Sequence, residues 1–354
     1  MIIKRKKTRE VRVGKVIIGN HSPVSLQSMT NTDTRDVKST AAQIHRLEKA
    51  GCELVRVAVP DEKAARQISY IKNKINIPLI ADIHFNHQLA LIAMDQGADK
   101  IRINPGNIGD KKKIKEIIKK AQSCNIPIRI GVNSGSLEKD ILNKYGKVEA
   151  EGLVESALRH ISFFEDNGFF DMVISLKSSD VLTSIEAYTL LSKKCDYPLH
   201  LGITEAGTEF QGSIKSVLGI GSLLVNGIGD TLRVSLTAPP EKEIEVGKEI
   251  LKILHLKEEG VDFVSCPTCG RCEVNLIPIA CKIEKQLKCL DVKKPLKVAV
   301  MGCVVNGPGE AKEADIGIAC GKKQGIVFKK GRQIKKVAEN KIVSEFINEI
   351  KKMI

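Results

Sequence analysis

The chain has 354 residues, with 56 Lys and Arg against 42 Asp and Glu, a net charge of +14, 42% hydrophobic residues, 4% aromatics and no Trp. That is the composition of a packed globular protein with an aliphatic core, and its basic excess favours an anionic partner. No apolar run approaches the roughly 18 residues of a membrane helix. The basic start MIIKRKKTREVRVG lacks a signal-peptide stretch, and ten cysteines without one fit a reducing, cytoplasmic setting.

From the N-terminus, short β-branched runs alternate with amphipathic stretches. Strands are predicted over Pro23–Met29, Leu54–Val59, Pro78–Ile83, Lys100–Asn104, Pro127–Val132, Asp171–Leu176, Pro198–Thr204 and Thr231–Leu236. Helices are predicted between and after them, over Thr40–Ala50, Glu62–Lys74, Asn86–Gln96, Lys111–Ser123, Val148–Asn167, Val181–Lys194, Ile214–Val225 and Glu241–Leu254. Eight such units within about 250 residues predict an α/β fold of the TIM (β/α)8 barrel type. After Leu254 the rhythm stops. His255–Val264 reads as a connector, Leu296–Met301, Ala314–Ala319 and Gly325–Lys329 as strands, and Gln333–Lys352 as a helix. The expected division is a barrel over 1–258 and a small α+β domain over 259–354, helped to fold by a metal centre.

In a barrel the chemistry sits at the carboxyl ends of the strands. Those ends here carry Arg56, Asp82, His84, Arg102, Arg129, Asn133, Lys177, Glu205, Arg233 and Ser235. Arginines inside strands are costly without an anion, and guanidinium forks suit phosphate oxygens. A diphosphate cradle is therefore predicted, with the turn NPGNIG after the fourth strand offering backbone N–H groups. Asp82, His84 and Glu205 are candidates for proton transfer. His200, earlier in its strand, reads as a core histidine. The alternative for any one arginine is a local carboxylate.

The segment SCPTCGRC places Cys266 and Cys269 at C-x2-C spacing, and MGCVVNGPGEA adds Cys303 with Glu310 seven positions on. Zinc and iron–sulfur sites both use such loops. Three thiolates with a hard, exchangeable fourth ligand suit an iron cluster that accepts substrate at one iron. A zinc site with Cys272 as fourth thiolate is the alternative on spacing alone. The other cysteines read as core or surface thiols.

The barrel and cysteine motifs together resemble the 4-hydroxy-3-methylbut-2-enyl diphosphate synthase family of the methylerythritol phosphate route to isoprenoids. The resemblance is carried by SLQSMTNTDT, RVAVP, ADIHF, RINPGNIG, RIGVNSGSL, ISLKSSD, LHLGITEAG, DTLRVSLT, SCPTCGR and MGCVVNGPGEA, and spans essentially the whole chain in its bacterial two-domain form. It implies a [4Fe-4S] cluster on Cys266, Cys269, Cys303 and Glu310, with substrate displacing Glu310. It implies reductive ring opening of 2-C-methyl-D-erythritol 2,4-cyclodiphosphate with loss of water, using two electrons from reduced flavodoxin or ferredoxin. Arg56, Arg102, Arg129 and Lys177 would hold the diphosphate, with Asn133, His84, Arg233 and Ser235 near it, while Asp82 and Glu205 would serve the ring and proton delivery. It also implies a homodimer in which each active site draws on two chains, with no role for nucleic acid or membrane. Cys272 is a departure from the motif and could replace Glu310 as a ligand.

Overall fold

The computed structural model describes residues 3–257, 260–290, 292, 294–303, 305 and 307–354. Val304 and Asn306 of the MGCVVNGPGEA motif lie outside the described residues, as do the two residues flanking the expected 258/259 boundary. The chain divides into two compact units, Met1–Leu256 and Lys257–Ile354.

The first unit opens with an antiparallel hairpin of β1 (Val11–Val13) and β2 (Val16–Ile18). Eight parallel strands follow: β3 (Ser25–Met29), β4 (Leu54–Ala58), β5 (Leu79–Ile83), β6 (Lys100–Ile103), β7 (Ile128–Asn133), β8 (Met172–Lys177), β9 (His200–Leu201) and β10 (Thr231–Leu232). Their order runs β8-β7-β6-β5-β4-β3-β10-β9. A parallel bridge between Ile174 and Leu199, with Ile174 N–H donating to Pro198 O (2.9 Å), closes the ring. The TIM barrel is thus present, with the last two strands shorter than expected.

Alternation along each strand divides the side chains between two environments. Val55, Val57, Ala81, Ile83, Ile101, Ile103, Ile128, Ile130, Ile174 and Leu176 face outward into a core shared with Ile44, Leu47, Ile117, Leu153 and other helix residues. Burial of each large aliphatic side chain stabilises the fold by about 1.5–3 kcal/mol. Asp36, Asp61, Asn86, Asp110 and Asp180 start five of the surrounding helices by accepting a first-turn backbone N–H. Inside the ring, Val11, Val13 and Ile18 of the hairpin pack against Leu54, Ile80 and Val173, an apolar plug at the amino ends of the strands. Above this plug the interior becomes polar.

The second unit has a five-stranded sheet in sequence order: β11 (Val261–Ser265), β12 (Leu296–Met301), β13 (Ile316–Gly321), β14 (Gln324–Lys329) and β15 (Arg332–Ala338). The first three strands are parallel, the last two antiparallel to their neighbours. Two expectations are corrected here. The end of the supposed connector is β11, and the supposed helix over Gln333–Lys352 is β15 followed by a helix at Ile342–Lys351. One apolar rhythm ran across both elements, but Val337 is buried by pairing with β14 whereas Phe346, Ile347 and Ile350 are buried by the helix. Lys335 and Lys336 are exposed on this sheet edge, where charge discourages pairing with other chains.

Candidate active site

The polar interior of the barrel is built by the inward positions of successive strands. Asp82 on β5 and Arg102 on β6 are register partners, as are Arg102 and Arg129 on β7. Arg102 Nη1 donates to Asp82 Oδ1 at 3.1 Å and lies 3.3 Å from His84 Nε2, while Arg56 Nε on β4 is 3.7 Å from Asp82 Oδ2. With the Asn133 amide oriented to satisfy both neighbours, its oxygen accepts from Arg102 Nη2 at 3.1 Å. Arg56, Asp82, Arg102, Arg129 and Lys177 are all buried. Arg129 Nη1 reaches Gln27 Oε1 at only 3.5 Å, and its Nε has no hydrogen-bond partner.

Electrostatics divide the roles. Burial opposes ionisation of Asp82, but Arg56, a hydrogen bond from His84 and Arg102 outweigh it and hold the carboxyl well below its usual range. Asp82 is therefore a fixed anion that orients two guanidiniums, and in the free protein it has no proton to deliver. Arg56 is pulled down to about 10, by burial first and then by Arg233 and Arg102, against the pull of Asp82. Burial and then Arg56 and Arg102 press on Arg129, yet a guanidinium keeps its proton. The same crowding pushes Lys177 far below its usual range, through burial and then Arg129 and Arg56.

Arg233, after β10, differs from the other arginines. Its Nε and Nη2 donate to the two oxygens of Glu243 at 3.2 and 3.0 Å, and Glu243 also accepts from Ser28 Oγ (3.0 Å) and Leu236 N–H (3.1 Å). Here the local-carboxylate alternative holds, and Glu243 was not among the expected site residues. Ser235, two positions on, is half-buried. His84 is exposed beside Asp82, at 3.5 Å. Glu205 is exposed in the loop after β9 with φ +52°, a left-handed conformation that costs a non-glycine residue energy and often marks a functional position.

Two glycines make the cradle possible. A Cβ at Gly131 would lie 2.8 Å from Arg102 Nε, and one at Gly202 would lie 2.8 Å from Lys177 Nζ. Gly131 sits at an inward position of β7 and Gly202 directly follows β9, and in both places the neighbouring cation occupies the volume that a side chain would fill. The NPGNIG turn does not supply the expected free amides. Pro105–Ile108 forms a helical turn in which Gly106 N–H bonds Asn104 Oδ1 and Asn107 and Gly109 N–H bond backbone oxygens.

Deeper still are two residues that the sequence reading did not place in the site. Lys100 on β6 is fully buried and its Nζ has no partner; His200 on β9 is fully buried with both ring nitrogens unpartnered. The period-two spacing of Lys100 and Arg102 was the available signal.

In the second unit, Cys266 follows β11 and Cys303 follows β12, adjacent parallel strands that end at the same level. Gly302 N–H donates to Cys266 Sγ at 3.2 Å. Cys269 and Glu310 are exposed, the latter on the helix Gly307–Glu313. Cys272 Sγ donates to Val274 O at 3.2 Å and lies against Gly302, where a Cβ would meet it at 2.6 Å. Cys320 is a buried thiol pushed up to about 12, by burial and then by Cys272 and Cys266. No cysteine is in a disulfide. Among the described residues, no three His, Cys, Asp or Glu side chains converge closely enough to hold a metal ion.

Residues 8–248 match the family model of the GcpE TIM-barrel domain, and residues 262–352 that of the GcpE protein C-terminal domain. The chain belongs to the GcpE family. A relative from Caldanaerobacter subterraneus subsp. tengcongensis, named 4-hydroxy-3-methylbut-2-en-1-yl diphosphate synthase (flavodoxin), is 58% identical over 354 residues, covering 100% of this chain and 99% of its own. One of the same name from Clostridium acetobutylicum is 58% identical over 351 residues, 99% of this chain and 100% of its own. Among solved structures, dihydropteroate synthase from Stenotrophomonas maltophilia superposes with a TM-score of 0.51 at 14% identity, over 70% of this chain and 97% of that one. At that identity the likeness speaks for the barrel fold alone. In this GcpE chain the two family matches fall one in each compact unit.

Proposed function

We propose that this chain catalyses the reductive ring opening of 2-C-methyl-D-erythritol 2,4-cyclodiphosphate to 4-hydroxy-3-methylbut-2-enyl diphosphate, with loss of water and two electrons from reduced flavodoxin. The relatives' names support the reaction and the donor; reduced ferredoxin is the alternative donor. The observation that carries the substrate class is the buried set Arg56, Arg102, Arg129 and Lys177, with Asp82 as the carboxylate among them. Such an excess of enclosed cations calls for a multivalent anion, and a diphosphate fits guanidinium forks.

These residues bind and orient. Arg56, Arg102, Arg129 and Lys177 take the phosphate oxygens, Asp82 and Asn133 hold the Arg102 plane, and Glu243 fixes Arg233 with Ser235 beside it. His84 lies at the open side of the Asp82–Arg102 pair. Glu205, beyond the end of β9, protonates the hydroxyl that departs as water. The division of labour is a substrate-binding barrel over 1–258 and a cluster domain over 259–354.

A [4Fe-4S] cluster would be held by Cys266, Cys269, Cys303 and Glu310. The donor chemistry fits, since two of the thiols follow adjacent strand ends and one already accepts a backbone N–H, a bond that tunes cluster thiolates. When bound, the cluster supplies electrons and Lewis acidity for oxygen departure. Cys272, turned to Val274 O, is not counted among the ligands. A homodimer accounts for the exposed Phe210, Ile214, Val217 and Leu218, which line one face of the helix Glu209–Val225. Ten cysteines with no disulfide suit the reducing cytoplasm, and no helix of the described residues is long and apolar enough to cross a membrane.

The test is anaerobic turnover of the cyclodiphosphate with reduced flavodoxin, by wild type and by Arg102→Ala. Wild type consumes it and releases the linear diphosphate, while Arg102→Ala requires a KM at least about tenfold higher, the loss of about 1.4 kcal/mol of binding. Unchanged KM and kcat would remove Arg102 from the cradle; no turnover by wild type would refute the function.

A further inference from the structure

Lys100 stands apart from the cations above it. It lies two residues before Arg102 on β6 and, by strand alternation, faces the same interior. Its register partner on β5 is Ile80, part of the apolar plug, whereas Arg102 pairs with Asp82 one layer higher. Its side chain is fully buried and Nζ makes no hydrogen bond.

The surroundings offer this amine almost nothing but positive charge. Arg129 on β7 and Arg56 on β4 are the cations that act on it most, and His200 on β9 is within reach of its field. Arg233 after β10 adds a further guanidinium, Lys177 on β8 is a second amine that burial and then Arg129 and Arg56 push far below its usual range, and β3 contributes the neutral Ser25 and Gln27. The carboxylates are engaged elsewhere. Asp82 on β5 holds Arg102, Arg56 and His84, and Glu243 is forked onto Arg233. A buried ammonium without a partner carries a heavy desolvation cost. Guanidiniums cannot relieve such crowding by releasing a proton, but an amine can.

We propose that Lys100 adjusts the charge of the cradle, standing neutral in the free enzyme and taking up one proton from solvent when the diphosphate settles among Arg56, Arg102 and Arg129. The inference rests on the anion-cradle reading given above. Two residues along a strand span about 7 Å, so phosphate charge held by Arg102 lies close to Nζ through an interior that screens poorly. No new contact to Nζ is required, because the diphosphate acts by neutralising the field of Arg129 and Arg56. The empty barrel is thereby spared one more unpaired cation, and the loaded barrel regains it as attraction for the ligand. Burial, then Arg129 and Arg56, already depress the basicity of Lys100 far below the ordinary lysine range, in agreement with this assignment.

The sign of the pH dependence follows. Binding that takes up a proton weakens as pH rises, by up to about tenfold in Kd per pH unit between the free and bound pKa of the group. The experiment is isothermal titration of the cyclodiphosphate into the anaerobic, cluster-loaded enzyme without reductant, so that no turnover occurs. It is repeated at one pH in buffers of different ionisation enthalpy, which converts heat into a proton count. Wild type takes up at least one proton; Lys100→Met and Lys100→Gln each take up one fewer, while His200→Asn keeps the wild-type count. Zero uptake by wild type overturns the proposal without any variant, as does an equal count in wild type and whichever Lys100 variant folds. A wild type that binds no cyclodiphosphate at all overturns the cradle reading, and this inference with it.

Discussion

The two candidate centres are built in opposite ways. In the barrel, the charged groups hang from adjacent strands of a closed ring, mostly buried, with Asp82 binding Arg102 and Arg56 into one unit. In the second unit, Cys269 and Glu310 are exposed, while Cys266 directly follows β11 and Cys303 comes one residue after the end of β12. The barrel centre is assembled by folding, before any ligand arrives. The cysteine centre has its donors at hand, and loading would assemble it, as metal binding commonly completes a site.

The sharpest way to break that contrast is Cys303→Ser. It should abolish turnover and most of the bound iron, while the barrel melts as in wild type and still binds cyclodiphosphate. Substantial turnover by the anaerobically reconstituted variant would remove the cysteine centre from the chemistry.

A smaller effect is expected from Asp82→Asn, which leaves Arg56 and Arg102 without their carboxylate and should cost about 3–5 kcal/mol of stability. The pH dependence has a definite sign. Asp82 has a depressed carboxyl in the folded state, so its contribution is fully present above the unfolded value of about 3.9. It is lost only as pH falls from there through the folded value. Denaturant titrations of both proteins between pH 7 and pH 3 should show a constant difference down to about pH 4. A difference that vanished near pH 6 would mean that some other group carries the effect.

The mildest substitution is Gly131→Ala. Its Cβ would meet the Arg102 guanidinium at 2.8–2.9 Å, and overpacking of this kind costs about 1–3 kcal/mol. Because Arg102 must shift, KM should rise about tenfold or more while iron content stays unchanged. An unaltered KM would show that the guanidinium has room to spare.

The same contrast explains what could be read in the sequence. Strand–helix alternation reports burial, and burial organises the barrel, so the eight strands and the arginines at their ends were legible. Glu243, Gly131 and Gly202 were not, because their roles depend on which side chain stands opposite them across the ring. Lys100 was passed over because a lysine at the start of a strand looks solvent-facing until the ring closes around it. In the second unit the motifs named the donors by spacing, but spacing did not reveal β11, or that Gln333–Ala338 pairs as an edge strand. There the apolar period near 3.6 ran unbroken across a strand and a helix, and sheet pairing overrode it.

The most direct test of the account is EPR of the anaerobically purified, dithionite-reduced protein, with iron, sulfide and zinc analysis, before and after adding cyclodiphosphate. The account predicts about four irons and four sulfides per chain and a reduced signal that shifts when the cyclodiphosphate is added. Stoichiometric zinc without iron, or a cluster signal indifferent to the cyclodiphosphate, would contradict it.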